Sequence, residues 1–234
     1  MLTSNKIDYE IVKEIVGDKH SLEYLFEDEK DIIENSDNVN LIDSYEPDLF
    51  FTMGNSYEKS ITNVAKKFNS KNATVIDISR GISGENPYYW LNLNGYKVAL
   101  YNVMISMVNI DPTNKGYYQY KYEQVLKNIE YKVDEIINKS KKGDRKIYIA
   151  IDDKVDSFIK SCNLKSYNVN KDNLEDFIRR NNLNKSDVII VKNKNTQFDL
   201  KGYKVVDLYT YKSGENVTGI IINNYRLLYD HENN

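Results

Sequence analysis

The chain has 234 residues with a mean hydropathy of −0.62, and it contains 20 Tyr but only two His and one Cys. One Cys excludes an internal disulfide and a cysteine-rich zinc site, and two His exclude a three-histidine metal site. The net charge of −3, from 32 basic and 35 acidic side chains, gives no electrostatic reason to expect a nucleic acid partner. No apolar run is long enough to predict a transmembrane helix.

Helices and strands alternate along the first half of the chain. Apolar side chains at helical spacing predict helices, and short apolar runs such as DLFFTM predict buried strands. Alternation of this kind predicts parallel strands joined by helical crossovers. The predicted order is a helix over 10–16, a strand over 22–26, a weak helix within 27–43, a strand over 48–53, a helix over 56–68, a strand over 73–78 and a helix over 91–108.

Residues 113–142 form a different kind of segment, because an apolar stripe at spacings of three and four runs through them without Pro. This stripe predicts one helix of about 25 residues. A second alternating set follows it, with strands over 146–151, 166–169, 187–191 and 204–208, helices over 154–161 and 174–180, and a helix or strand over 218–228. The predicted fold class is therefore α/β, with two lobes that contain parallel sheets and are joined by one long rigid helix. The predicted domains are 1–112, 113–143 and 144–234.

Two segments are candidates for binding an anion. Gly81 to Gly84 follows a predicted strand, and its backbone amides are a candidate phosphate site. A turn is the favoured interpretation, since no nucleotide-binding glycine fingerprint is present. The basic cluster over 139–146 is likewise interpreted as a solvated helix end rather than as an anion site.

Nucleophile and base candidates are few. Cys162 is interpreted as a small core residue rather than as a nucleophile. His20 is expected at the surface and His231 in the C-terminal tail. No nucleophile, base and orienting group occur at a recognised spacing, so we do not expect an enzyme.

Three carboxylates stand where predicted strands end. Asp152 and Asp153 directly follow one strand, and Asp207 lies at the end of another. Ligands of parallel α/β sheets bind beyond the carboxyl ends of the strands, and carboxylates there are suited to a cation. For Asp152 and Asp153, a helix N-cap or turn role is an equally good interpretation.

The segment NPYYW over 86–90 contains the single Trp, in a proline-containing loop that leads into a helix. Two interpretations are open for it: a ligand wall, or an aromatic anchor that is buried under the helix. For Trp90 we favour the anchor.

The segments together resemble the metal-binding substrate-binding proteins of ABC importers, the zinc and manganese group that includes streptococcal adhesin lipoproteins. NPYYWLNL parallels a DPHxW-type motif of that family, and Gly54 and Glu58 match its glycine and glutamate element. The resemblance extends over nearly the whole chain, in the segments 8–19, 45–61, 73–82, 86–93, 109–136 and 204–209.

The resemblance implies a ligand cleft between the lobes, with Tyr88, Trp90, Asp152, Asp153 and Asp207 in it. Family members ligate metal with two or three His and carboxylates, but here Tyr88 and Asp152 replace His, and only the carboxylate at Asp207 is retained. The implied metal ligands are therefore Tyr88, Asp152 and Asp207. An oxygen set of this kind favours a hard divalent or trivalent ion over zinc, and a cleft without metal is the alternative.

The function implied by the resemblance is an extracytoplasmic solute-binding protein of a metal-ion ABC transporter, with an atypical or degenerate metal site. It implies a metal ion or small solute and an ABC permease as partners, and a monomer anchored at the membrane or cell surface. The residues given show no signal peptide, and composition leaves a cytosolic location open. The alternative function is an adhesin-like or accessory interaction protein that binds no metal, to which a surface rich in Tyr is suited.

Overall fold

The structure is a computed structural model that describes residues 1–54, 58–82, 88–140, 146–212 and 214–230. Several sequence predictions therefore lie outside the described residues: those for Ser83 to Pro87, for His231 and for residues 141–145 of the basic cluster. Within the described part, no helix combines the length and the apolar character that crossing a membrane requires.

The chain divides into two compact units. The first contains residues 1–87 and 95–127, and the second contains residues 88–94 and 128–234. The loop that includes Tyr88 and Trp90 thus belongs to the second unit.

The first unit is built on a parallel sheet of four strands, β1 (Leu2–Asn5), β2 (Glu23–Phe26), β3 (Leu49–Thr52) and β4 (Thr74–Asp77). Their order in the sheet is β2-β1-β3-β4. Strand β1 was not predicted, since the apolar pattern indicated a helix as the first element. The helices of the first unit are α1 (Lys6–Val16), α2 (Glu29–Asn35), α3 (Val39–Asp43), α4 (Glu58–Ser70) and most of α5 (Leu93–Ile110).

Helix α1 shows how local sequence sets these elements. The Asn5 side chain accepts a hydrogen bond from the backbone of Asp8 and caps the first turn. The helix ends at Gly17, whose φ of 55° is easily adopted only by a residue without Cβ and whose N–H donates to Lys13 O at 2.9 Å. Its buried residues are Asp8, Ile11, Val12, Ile15 and Val16.

The strands of the second unit are β5 (Ile147–Ala150), β6 (Ser166–Asn168), β7 (Val188–Asn193) and β8 (Lys204–Leu208). They pair in parallel in the order β6-β5-β7-β8, which repeats the order of the first sheet. Strand β7 lies inside the sheet and is buried along its whole length. The helices are α7 (Asp153–Ser161), α8 (Leu174–Arg180) and α9 (Val217–Asp230), so the last segment is a helix.

The long helix is α6 (Lys115–Lys139), which has 25 residues and contributes to both units. The predicted fold class, α/β with two parallel sheets and one long helix, is therefore confirmed. In each sheet the carboxyl ends of the parallel strands lie at one edge, where ligands of such sheets bind.

Candidate functional site

The carboxyl ends of β7 and β8 bring Lys192 and Asp207 together. The two residues are partners in the parallel register, so both side chains lie on the same face of the sheet. Lys192 Nζ is 2.7 Å from Asp207 Oδ1. Lys192 is only 9% exposed, and a buried ammonium requires a partner of this kind. Asp207 is thus engaged within the protein.

Asp152 has partners on both carboxylate oxygens. Its Oδ1 accepts a hydrogen bond from the Lys154 backbone at 3.0 Å, which caps the start of α7. Its Oδ2 accepts a hydrogen bond from the Thr196 hydroxyl. The neighbouring Asp153 accepts a bond of 2.9 Å from Asn168 Nδ2 at the end of β6.

The predicted aromatic residues lie in a short 3-10 turn that packs with the second unit. Tyr88 is half-buried and precedes the turn over Tyr89–Leu91, and the ammonium of Lys154 lies 5.4 Å from the centre of its ring. This distance is typical of a cation–π contact. Trp90 is buried, with 2% of its surface exposed.

These contacts bear on whether a metal ion fits. Within the part of the chain that the structure describes, no three His, Cys, Asp or Glu side chains are grouped to hold an ion. Of the predicted ligands, Asp207 has an ammonium as its partner, and Asp152 is bonded to a backbone amide and a hydroxyl. The donor set does not resemble an open metal site, and the assignment of Tyr88, Asp152 and Asp207 as ligands stays a prediction.

Sequence reasoning missed Lys192 and Thr196, the side chains that bind the two predicted carboxylates. One signal was present for Lys192, because it ends the apolar run DVIIVK and a Lys in a central strand is rarely left without a partner. No comparable signal marks Thr196, which lies in the turn after β7.

A second polar cluster lies at the carboxyl end of β1 in the first unit. Asp8 is fully buried, its Oδ2 is hydrogen-bonded to the Ser4 hydroxyl, and its Oδ1 has no hydrogen-bond partner. Burial raises the pKa of Asp8 from 3.8 to about 8; the Ser4 bond opposes this shift, and the charge of Asp77 adds to it. Asp8 precedes Ile11 and Val12 by three and four residues, so it lies on the same buried face of α1. This helical spacing was the signal in the sequence that could have predicted a buried carboxylate.

The first unit also contains a hydrogen-bonded chain that links three elements. The Tyr118 hydroxyl donates to Asp111 Oδ2 at 2.7 Å and lies 2.7 Å from His20 Nε2. Burial, reinforced by the bond to Asp111, raises the pKa of Tyr118 above its usual value. His20, expected at the surface, has a side chain that is 31% exposed and takes part in this chain.

Cys162 is buried, which raises the pKa of its thiol to about 12. A thiol at this pKa is not a nucleophile at neutral pH. The interpretation of Cys162 as a small core residue agrees with this position.

Comparison with known proteins identifies the class of protein. The family described as ZnuA, zinc-uptake complex component A, periplasmic, matches residues 1–193. The chain belongs to this family. No match was found among curated proteins.

Solved structures of similar fold cover nearly the whole chain. The zinc-bound ZnuA-like domain of AdcA from Streptococcus pneumoniae has a TM-score of 0.78 at 13% identity, covering 100% of this chain and 98% of its own. A mutant of the laminin-binding adhesin Lmb from Streptococcus agalactiae has a TM-score of 0.76 at 20% identity, with 98% and 97% covered.

A mutant, metal-free periplasmic metal-binding protein from Candidatus Liberibacter asiaticus is similar to the same degree. Its TM-score is 0.76 at 15% identity, and the match covers 99% of this chain and 98% of that one. At these sequence identities, the similarity to the solved structures shows the fold. The structural similarity also extends beyond residue 193, where the family match ends, over the remaining 41 residues.

Proposed function

We propose that this protein is an extracytoplasmic solute-binding protein of a metal-ion ABC transporter, with an atypical or degenerate metal site at the carboxyl edge of the second sheet. The observation that carries the proposal is the family match over 193 residues, combined with carboxylates at the ends of β5 and β8. A parallel sheet presents such groups to a ligand at that edge.

The character of the site follows from its side chains. Within the described part of the second unit, no His lies at the carboxyl edge of the sheet; His20 belongs to the first unit, and His231 lies outside the described residues. Phenol and carboxylate oxygens suit harder ions than the imidazole-rich sites that hold zinc. The solute is therefore a hard cation or a small molecule bound by hydrogen bonds, and its delivery requires a permease.

The transport role is testable without knowing the solute. The permease and ATPase encoded nearest to this protein are reconstituted in proteoliposomes, and ATP hydrolysis is measured with and without the purified chain. A solute-binding protein docks on its permease, so added protein is expected to raise the hydrolysis rate severalfold. An unchanged rate at saturating protein rejects the transport role.

A second candidate function is an adhesin-like interaction protein on the same scaffold. The observation that favours it is a set of exposed tyrosines on α5 and α6: Tyr101, Tyr120 and Tyr131 are 47%, 58% and 69% exposed. Tyrosines are enriched in protein interfaces because they combine apolar area with a polar tip.

Surface plasmon resonance on immobilised laminin, the ligand in the name of the Lmb relative, tests this candidate. Binding that weakens at least about tenfold in Tyr120→Ser and Tyr131→Ser supports it. The control is Tyr203→Ser, which removes a tyrosine that contacts Glu175 and Lys185 in the second unit. No binding of the unaltered chain, or equal loss in the control, argues against it.

A further inference from the structure

The ammonium of Lys192 lies against Asp207, where a bound cation is expected from the position of this carboxylate at a strand end. The distance between Nζ and Oδ1 is 2.7 Å. The Lys192 side chain is 11% exposed, and that of Asp207 is 47% exposed. The positive charge is therefore on the inner side of the pair, and the carboxylate is on the outer side.

Two features hold the ammonium in this place. The register of β7 and β8 sets Lys192 opposite Asp207, so the contact is fixed by backbone pairing and not by a flexible loop. Burial adds to this, since an ammonium in the interior without a carboxylate is strongly unfavourable. Besides Asp207, the Lys192 ammonium has the backbone oxygen of Asn193 at 3.5 Å.

A metal ion that used Asp207 would have to displace or tolerate this ammonium. Displacement would leave a buried charge unpaired, and coexistence would place two cations within a few ångströms of each other on one carboxylate. Asp152 gives no compensation, because Thr196 and the α7 backbone already engage its oxygens.

We propose that Lys192 is a resident cation that takes the place of a metal ion at Asp207 and excludes divalent metals from this carboxylate. It is a specificity-determining residue of the second-sheet edge. The inference rests on the proposed function in one respect, because it takes the carboxyl edge of the second sheet as the solute site. It adds to that function that the solute does not bind as a metal ion through Asp207.

The experiment compares the unaltered chain with Lys192→Met, which keeps the length of the side chain and removes its charge. The matched control is Lys194→Met, an exposed lysine two positions on, whose ammonium contacts the Tyr209 hydroxyl at 2.5 Å. Each protein is stripped of metal with a chelator, checked by circular dichroism and titrated calorimetrically with MnCl₂. The expected result is that Lys192→Met binds Mn²⁺ at least about tenfold more tightly than the unaltered chain and the control. The added change Asp207→Asn is expected to abolish the gain.

Two results would overturn the proposal. One is a folded Lys192→Met that binds Mn²⁺ no more tightly than the unaltered chain. The other is Mn²⁺ binding by the unaltered chain that the single change Asp207→Asn abolishes, a comparison that is available even if Lys192→Met does not fold. The permease assay is independent of both, so failure of the transport role and failure of the Lys192 assignment are told apart.

Discussion

At the scale of single residues, a buried ionisable side chain lies near the carboxyl ends of the strands in each sheet, and the two are stabilised differently. Lys192 in the second unit is neutralised by Asp207, whereas Asp8 in the first unit has an oxygen with no hydrogen-bond partner. Both residues occupy positions where the pattern predicts a buried apolar side chain, so the sequence indicates that each is unusual. The partner of Lys192 could not be predicted, because it depends on the register between two strands.

Asp8 gives the first unit a stability that depends on pH. Its pKa is about 8 in the folded chain against 3.8 ordinarily, so the folded state retains a proton that the unfolded state releases between these values. The stabilisation by this proton is complete below pH 3.8 and is lost as the pH rises through about 8. The amide of Asp8→Asn does not ionise, so the unfolding free energy of this variant lacks the pH dependence that Asp8 causes. Relative to the unaltered chain, its unfolding free energy is therefore expected to rise between pH 5 and pH 9, by a few kcal/mol.

Urea unfolding of both proteins at pH 5, 7 and 9 measures this difference. Asp77→Asn is the control, because Asp77 is exposed and makes only a smaller, like-charge contribution to the shift. A difference between Asp8→Asn and the unaltered chain that is the same at pH 5 and pH 9 would contradict the assignment.

Thr196 is expected to stabilise the second unit through Asp152. Thr196→Val keeps the shape of the side chain and removes the hydroxyl that donates to Asp152 Oδ2. We expect a loss of about 1.5–3 kcal/mol in unfolding free energy, which is typical of a hydrogen bond to a charged group. The exposed Thr113, changed to Val in the same way, serves as the control and is expected to have little effect. Equal effects of the two changes would show that the hydroxyl of Thr196 is not engaged.

At the scale of elements, the hydrophobic period predicted most helices and strands within two or three residues. Helix α1 begins at Lys6, four residues before its predicted start, and the weak helix predicted within 27–43 is two helices, α2 and α3. Strand β1 was not predicted, because its sequence LTSN has one apolar residue, although it lies inside the first sheet. Its burial comes from the strands on either side of it, β2 and β3, which a local sequence pattern does not reveal. For α9 the pattern did not distinguish a helix from a strand, because apolar residues lie on most sides of the segment.

The contact between the end of α1 and the start of α6 provides a test at this scale. Gly17 has a φ of 55°, and a Cβ added to it would lie 2.1 Å from the Tyr117 hydroxyl oxygen. Gly17→Ala is therefore expected to destabilise the chain by about 1 kcal/mol or more through strain and overlap. Chemical unfolding measures this cost.

Gly116 is the matched control for Gly17. It lies in α6, and no atom is within 4 Å of an added Cβ, so Gly116→Ala is expected to be neutral or stabilising by about 0.5 kcal/mol. Adding Tyr117→Phe to Gly17→Ala removes the overlapping oxygen and is expected to recover part of the loss. A neutral Gly17→Ala would contradict the prediction, because moving Tyr117 would relieve the overlap but not the backbone strain at a φ of 55°.

At the scale of the whole molecule, the chain has the family fold, while the assignment of Tyr88, Asp152 and Asp207 as the counterparts of the family's metal ligands stays a prediction. Order and spacing of motifs were enough to predict the family, because the fold constrains segments along the whole chain. They were not enough to predict the partners of Asp152 and Asp207, which come from β7 and the turn after it. The domain limits at 112 and 143 stay a prediction.

The metal content of the purified protein tests the central claim most directly: internal partners have replaced metal at the second-sheet edge. The protein is produced in medium supplemented with zinc and manganese, purified without chelators, and analysed by inductively coupled plasma mass spectrometry beside Asp207→Asn. The prediction is far less than one metal ion per chain, with the same value in the variant. One zinc or manganese ion per chain, lost in Asp207→Asn, would contradict the account.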